Sequence, residues 1–172
     1  MIDSAYIRVM ARYAAWQNAS LTQAADGLDA AARDAERGAF FSSITGTLNH
    51  LLWADRIWMS RLTGSEPPRA GSIAESVEET ASWDAYRSAR AAQDRHIGAW
   101  AEAATDTSVV GEIDWWSGAA GRRVVKPRAL LIVHMFNHQT HHRGQVHAML
   151  TAAGAHPEPT DLFLMRDEPA GA

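Results

Sequence analysis

The sequence predicts an all-α protein, a four-helix bundle with a short extended or hairpin excursion before its last helix. Three observations point there. Four long stretches carry apolar residues at alternating spacings of three and four, the mark of one buried helical face. Breaks rich in Pro, Gly and Ser separate them, with no internal repeat. The chain has 172 residues, 47% hydrophobic and 21% charged, which suits a single globular domain with a sizeable core.

The first helix is expected over roughly 4–28, capped by Asp3 or Ser4, with Ile7, Met10, Ala14, Gln17, Leu21, Ala24 and Leu28 forming its stripe. Gly27 and the segment to Gly38 close it. The second is expected over about 42–62, with Gly64 as its stop. The linker "GSEPPRAGS" (64–72) cannot be helical throughout. The third is expected over about 74–103. Its Glu75, Glu78, Glu79, Asp84, Arg87, Arg90 and Arg95 read as a solvated face. In 108–127, Gly118 to Gly121 between apolar runs suggests a hairpin or extended excursion. The last helix is expected from Pro127, a residue suited to a first turn, to just before Gly154. The tail 155–172 packs loosely or wraps the surface. One extended crossover makes the bundle antiparallel or partly crossed.

Composition excludes several functions. A net charge of −4 leaves no basic excess for nucleic acid or anionic lipid. The absence of cysteine removes disulfides, thiolate ligands and a cysteine nucleophile, so thiol chemistry needs a thiol cosubstrate. The start "MIDSAYIRVMARYAAW" lacks the apolar core of a secretory signal, and "ALLIV" (129–133) is too short to span a bilayer. A cytoplasmic protein without a membrane partner is the expectation. Most of the seven tryptophans are expected as core or interface anchors.

Four of the eight histidines fall within "NHQTHHRGQVH" (137–147). With His138 as the origin, helical geometry places His142 at about +40°, His134 at about −40°, His141 at about −60° and Gln145 at about −20°. Leu131, Met135, Met149 and Ala152 share that apolar sector. His147 falls on the opposite side and is expected exposed. A single histidine on such a face is more often simply hydrogen-bonded. Several crowd one another, and a divalent cation sharing their lone pairs removes the conflict. His138 and His142, at i and i+4, can offer two nitrogens to one ion, so a third ligand should come from another helix. His50 is the candidate, with the small residues Gly46 and Ala54 one turn away on either side. Three nitrogens with an open position suit a catalytic site better than a closed structural one.

At these residues the sequence resembles the DinB family of damage-inducible proteins. The matching stretches are "RGAFFSSITGTLNHLLWADRIWMSRL" (37–62) and "HMFNHQTHHRGQVHAMLTAAG" (134–154). The resemblance covers nearly the whole of 1–172 as one domain and is weakest in 65–125 and the tail. It implies a four-helix bundle, commonly dimeric, with a three-histidine site for nickel, zinc or a similar divalent ion. His50, His138 and His142 match the ligand positions. Relatives of this fold include thiol-dependent transferases and isomerases that use low-molecular-weight thiols.

Such an ion can acidify bound water or stabilise a thiolate, so a hydrolase and a thiol-dependent S-transferase both stay open. The histidine sectors contain no carboxylate base. Asp55, at about +140° from His50, is expected to pair with an arginine. His141 is the best candidate proton carrier. His134 and Gln145 are candidates to orient a ligand or water, against plain wall contacts. Arg143 is expected in an ion pair or a dimer contact. All-imidazole ligation argues against magnesium and calcium. A small-molecule substrate is the expected partner of a metal-dependent enzyme. The competing readings are a non-enzymatic metal- or ligand-binding stress-response protein and a bundle whose histidines only fill the core. Ile132, Phe136 and Leu150, with Leu48, Leu52 and Met59, give the second and fourth helices another apolar face. That predicts a homodimer, or coverage by the excursion and tail.

Overall fold

A computed structural model describes residues 2–166. Its long helices are α1 (Ser4–Asp26), α3 (Ile44–Thr63), α4 (Trp83–Ala103) and α5 (Arg128–Ala152), with a short α2 (Ala30–Asp34) after α1. Local chemistry sets their starts. Asp3, Asp29, Ser43 and Ser82 each accept, through the side chain, a backbone N–H of the first turn of α1, α2, α3 and α4. Gly64 ends α3 at φ 74°, a left-handed position that glycine occupies without steric cost. Pro127 stands just ahead of α5 rather than inside its first turn. It also closes the hairpin of β1 (Glu112–Ser117) and β2 (Arg122–Pro127), which pair antiparallel from Glu112↔Pro127 to Ser117↔Arg122.

The third helix starts nine residues later than its periodicity predicts. Tertiary contacts hold the segment 64–82 off the helical path. The Glu79 carboxylate accepts the backbone N–H groups of Arg69 and Ala70 and pairs with Arg56 at 2.6 Å. Asn49 Oδ1 accepts both the N–H and the hydroxyl of Thr80. Only a 3-10 turn, Glu75–Glu78, forms there.

Around the bundle the order is α1, α4, α3, α5, each packed on the next and α5 closing on α1. Named contacts fix the directions. Ser4 bonds Asp106 just past the end of α4, and Trp83 at its start bonds Asp26, so α1 and α4 are antiparallel. Tyr6 meets Phe136, and the Arg143 guanidinium lies over Tyr13, so α1 and α5 run parallel. Asn49 bonds Thr80 and Asp55 bonds Arg90, so α3 and α4 run parallel too. Parallel neighbours consecutive in sequence require a connection as long as the helix, and 64–82 is that crossover.

The core has two apolar halves. Ile7, Met59, Leu62, Ile97, Ile132 and Phe136 fill one end. Leu21, Leu48, Leu52, Tyr86, Val146 and Leu150 fill the other. A polar layer from all four long helices separates them. Arg90 Nη1 donates to Asp55 Oδ2 at 2.7 Å, and Gln139 Nε2 to Asp55 Oδ1 at 2.8 Å. Asp94 Oδ1 lies 2.8 Å from Arg90 Nη2 and accepts from Asn18 Nδ2 at 2.9 Å. Burial works against the Arg90 charge, but Asp94 and Asp55 outweigh it and hold its pKa above the ordinary value. Asp55 thus pairs with an arginine as expected. Of the seven residues expected on a solvated face, Glu75, Glu78, Asp84, Arg87 and Arg95 are exposed, but Arg90 and Glu79 need correcting: both are 2% exposed, because each has a charged partner.

The second apolar face of α3 and α5 is covered within the chain. Leu48, Leu52, Met59, Ile132, Phe136 and Leu150 are at most 1% exposed and belong to the two core halves, so they give no reason for a second copy. The tail lies along α1. Tyr13 Oη and Gln17 Nε2 donate to the carbonyls of Thr160 and Pro159, and Glu158 N–H donates to Ser20 Oγ. The tail's last residues, 167–172, lie outside the described residues. Among the described residues no helix is long and apolar enough to cross a membrane.

Candidate metal centre

α3 and α5 run antiparallel, so their histidines meet near the start of α3 and the middle of α5. His50, His138 and His142 come together, each offering a ring nitrogen within 4.8 Å of the others. His138 Nε2 lies 3.3 Å from His50 Nε2 and 3.1 Å from His142 Nε2. Two nitrogens bound about 2.05 Å from one tetrahedral ion stand about 3.3 Å apart, so the spacing suits a shared ion.

The outer nitrogens settle where the protons are. Ser76 Oγ donates to the Ile73 carbonyl at 2.6 Å, leaving its lone pair to accept His50 Nδ1–H at 2.8 Å. Gln145 Oε1, an acceptor only, takes His142 Nδ1–H at 2.7 Å. Both rings therefore turn bare Nε2 lone pairs toward His138 Nε2. At most one proton can sit between three such atoms, and the remaining lone-pair repulsion is what a cation relieves. Burial, then the neighbouring His142, pushes His50 down to about 3. Burial does the same to His138, also to about 3, with His142 and His50 adding to it. His142 is lowered as well, chiefly by burial. All three rings are neutral near pH 7, the form that binds metal.

The walls are aromatic. Phe41 stacks on the His50 ring at 3.8 Å, and Trp53 stacks with it at 5.7 Å. The turn carrying Phe41 needs Ser42 at φ 62°, an uncommon conformation for a residue with a side chain. It also needs Gly46, where a Cβ would stand 2.5 Å from the Phe41 carbonyl oxygen. The small residue one turn before His50 thus makes room for the backbone of Phe41, rather than for the imidazole itself.

The other sequence candidates divide. His141 is exposed, its ring 4.8 Å from that of His142 and open to solvent. His134 is exposed too, edge-on to Trp58 at 5.0 Å and 5.9 Å from the His138 ring. Gln145 orients His142, as sequence geometry allowed. His147, expected exposed, is half-buried beside Tyr13 and Thr160, because the tail folds back over that face. Among the described residues Arg143 makes no ion pair. It is 5% exposed and donates to Gln139 Oε1 and Thr140 Oγ1, both at 3.4 Å. Burial pushes its pKa down to about 10.

Sequence reasoning missed Ser76 and Phe41. Phe41 lies in the stretch matching the family, but nothing marks it as a stacking partner. Ser76 lies in a segment read as helix and carries no signal. Its replacement by alanine is expected to weaken metal binding by about 10- to 100-fold, since it frees His50 to rotate. Competition with a chromophoric chelator measures this, with an unchanged Kd as the contrary result.

Fold and site together define a class: a four-helix bundle that buries three neutral imidazoles from two helices around one point. Comparison with protein families matches residues 1–170 to the DinB family, essentially the whole chain, and the chain belongs to that family. No curated protein matches it. Membership and the histidine group together fit a metal-binding protein.

Proposed function

We propose that this protein is an enzyme dependent on a divalent metal, nickel or zinc, held by His50, His138 and His142, and that it transfers a low-molecular-weight thiol to an electrophilic small molecule. One observation carries the reading: three neutral imidazole nitrogens converge, and among the described residues no carboxylate joins the group. A hydrolytic site ordinarily places a carboxylate base beside its water, whereas a thiol needs only a cation to make it acidic near neutrality. An ion at this site would supply that Lewis acidity. The protein's own residues do the rest. Ser76 and Gln145 hold two ligand rings in place. Phe41 and Trp53 keep water from the flanks of His50. His141, solvent-facing and beside His142, is placed to carry the thiol proton away.

The test is metal content of protein purified without a histidine tag, followed by a screen of thiols against electrophiles and of ester and amide substrates. Stoichiometric nickel or zinc with thiol-dependent loss of the electrophile is the expected result. Protein that takes up no metal rules the reading out. Hydrolysis without a thiol replaces transferase by hydrolase. Metal without any turnover leaves a non-enzymatic metal-binding protein.

A further inference from the structure

Arg61 is the one cation on the face of α3 that His50 shares. Eleven residues separate them, which brings Arg61 back to within about 20° of His50, roughly 16 Å farther along the axis. Helical side chains lean toward the N-terminus, so the Arg61 side chain leans back toward the histidines. Its guanidinium carbon accordingly lies over the Trp58 ring at 4.7 Å, three residues earlier, and over Trp115 of β1 at 5.4 Å. The Trp58 ring touches His134, whose ring neighbours that of His138. The Arg61 charge is felt at His134, where it adds to the partial desolvation of a ring packed on Trp58 in lowering the pKa.

Arg61 is half-buried, and burial lowers its own pKa. Yet among the described residues it makes no ion pair, while Arg56, Arg87, Arg90 and Arg123 each find a carboxylate. It donates no hydrogen bond there either. A guanidinium has five donors in a planar fork that fits a carboxylate. Stacking on two indoles fixes the plane of the fork and leaves its edge free. A partly desolvated cation without an anion is costly, and the missing anion is the natural ligand of that edge.

We propose that Arg61 is the anion anchor of the metal site, binding the carboxylate of a small organic molecule whose other end reaches His50, His138 and His142. This rests on the metal reading and narrows its substrate class to carboxylate-bearing molecules, long enough to span from the histidines past Trp58 to the guanidinium. Ring contacts run from Arg61 over Trp58 to His134 and on to His138, so the linking part passes beside an indole and is hydrocarbon-like.

The test uses cobalt(II)-loaded full-length protein and a set of simple thiols: mercaptopropionate, mercaptohexanoate and mercaptooctanoate, each against the neutral mercaptoalcohol of the same length. Binding is read from the near-ultraviolet band a thiol gives on the cobalt protein. The carboxylate is expected to tighten binding about tenfold at the matching length, the worth of a charge-assisted hydrogen-bonded pair. Arg61→Gln should abolish that preference while leaving cobalt content and mercaptoalcohol affinity unchanged, and Arg61→Lys should restore part of it. No preference at any length, or a preference that survives Arg61→Gln, overturns the anchor and leaves the metal reading intact. Failure to bind cobalt, or to bind even the mercaptoalcohols, overturns the site on which both depend.

Discussion

His138→Ala is expected to abolish stoichiometric metal binding, whereas His141→Ala keeps the metal and loses turnover. On the proposed metal reading His138 would be the central ligand, because its Nε2 lies within 3.3 Å of both partner nitrogens. A structural zinc site is worth about 10–16 kcal/mol over four ligands, so roughly 3 kcal/mol rests on each, a loss beyond a hundredfold in affinity. His141 touches His142 only ring to ring and points to solvent, so its removal opens no coordination position. Elemental analysis of the two variants beside the wild type separates ligand from proton carrier. Equal metal in wild type and His138→Ala would refute the ligand assignment. Metal lost from His141→Ala would make that residue a ligand instead.

The second large effect is on stability. Arg90→Ala is expected to destabilise the fold by about 3–5 kcal/mol, because it strands Asp55 and Asp94 as uncompensated charges in the interior. For a chain of this size that is a fall in Tm of roughly 10 °C. The pair sits between two apolar halves, and the Asp55 side chain is 1% exposed, so water cannot take over its hydrogen bonds. Replacing the charges together, Asp55→Leu with Arg90→Leu and Asp94→Leu, should cost much less than Arg90→Ala alone, since no orphan charge remains. Thermal unfolding by circular dichroism measures both. A loss under about 1 kcal/mol for Arg90→Ala would put the pair in the class of solvated surface bridges instead.

What the sequence revealed and what it hid follows from the range of the forces. The histidine stripe of α5 was legible because one helix carries its own geometry: His138 and His142 are fixed relative to each other by 3.6 residues per turn. His50 was legible because small neighbours and the matching stretch agreed. The hairpin was legible from its glycines. Only the second half of the crossover, from about 74, reads as helix, because Glu75, Glu78 and Glu79 continue a helical composition; its first half, 64–72, reads correctly as a linker. The backbone there obeys Asn49 and its own Glu79, contacts that no local pattern records. Arg90 is misplaced for a related reason: a charge reads as exposed until its partner is known, and Asp55 lies 35 residues away. Arg143, expected in an ion pair or a dimer contact, instead donates to Gln139 one turn earlier and lies over Tyr13 of α1, a ring its own helix does not reveal. Leu48 and Phe136 looked like a surface for a second copy only because α1 and α4, which cover them, are invisible from α3 and α5 alone.

The span between the two ligand-bearing helices has one more consequence. His50 and His138 are 88 residues apart in sequence. An ion joining them would be a reversible staple across half the chain, closing a loop that the unfolded polypeptide leaves open. Because the unfolded chain cannot present the three rings together, each tenfold rise in free ion above Kd adds about 1.4 kcal/mol to folding. On the proposed reading, the stability of the folded protein would thereby become a gauge of the metal around it.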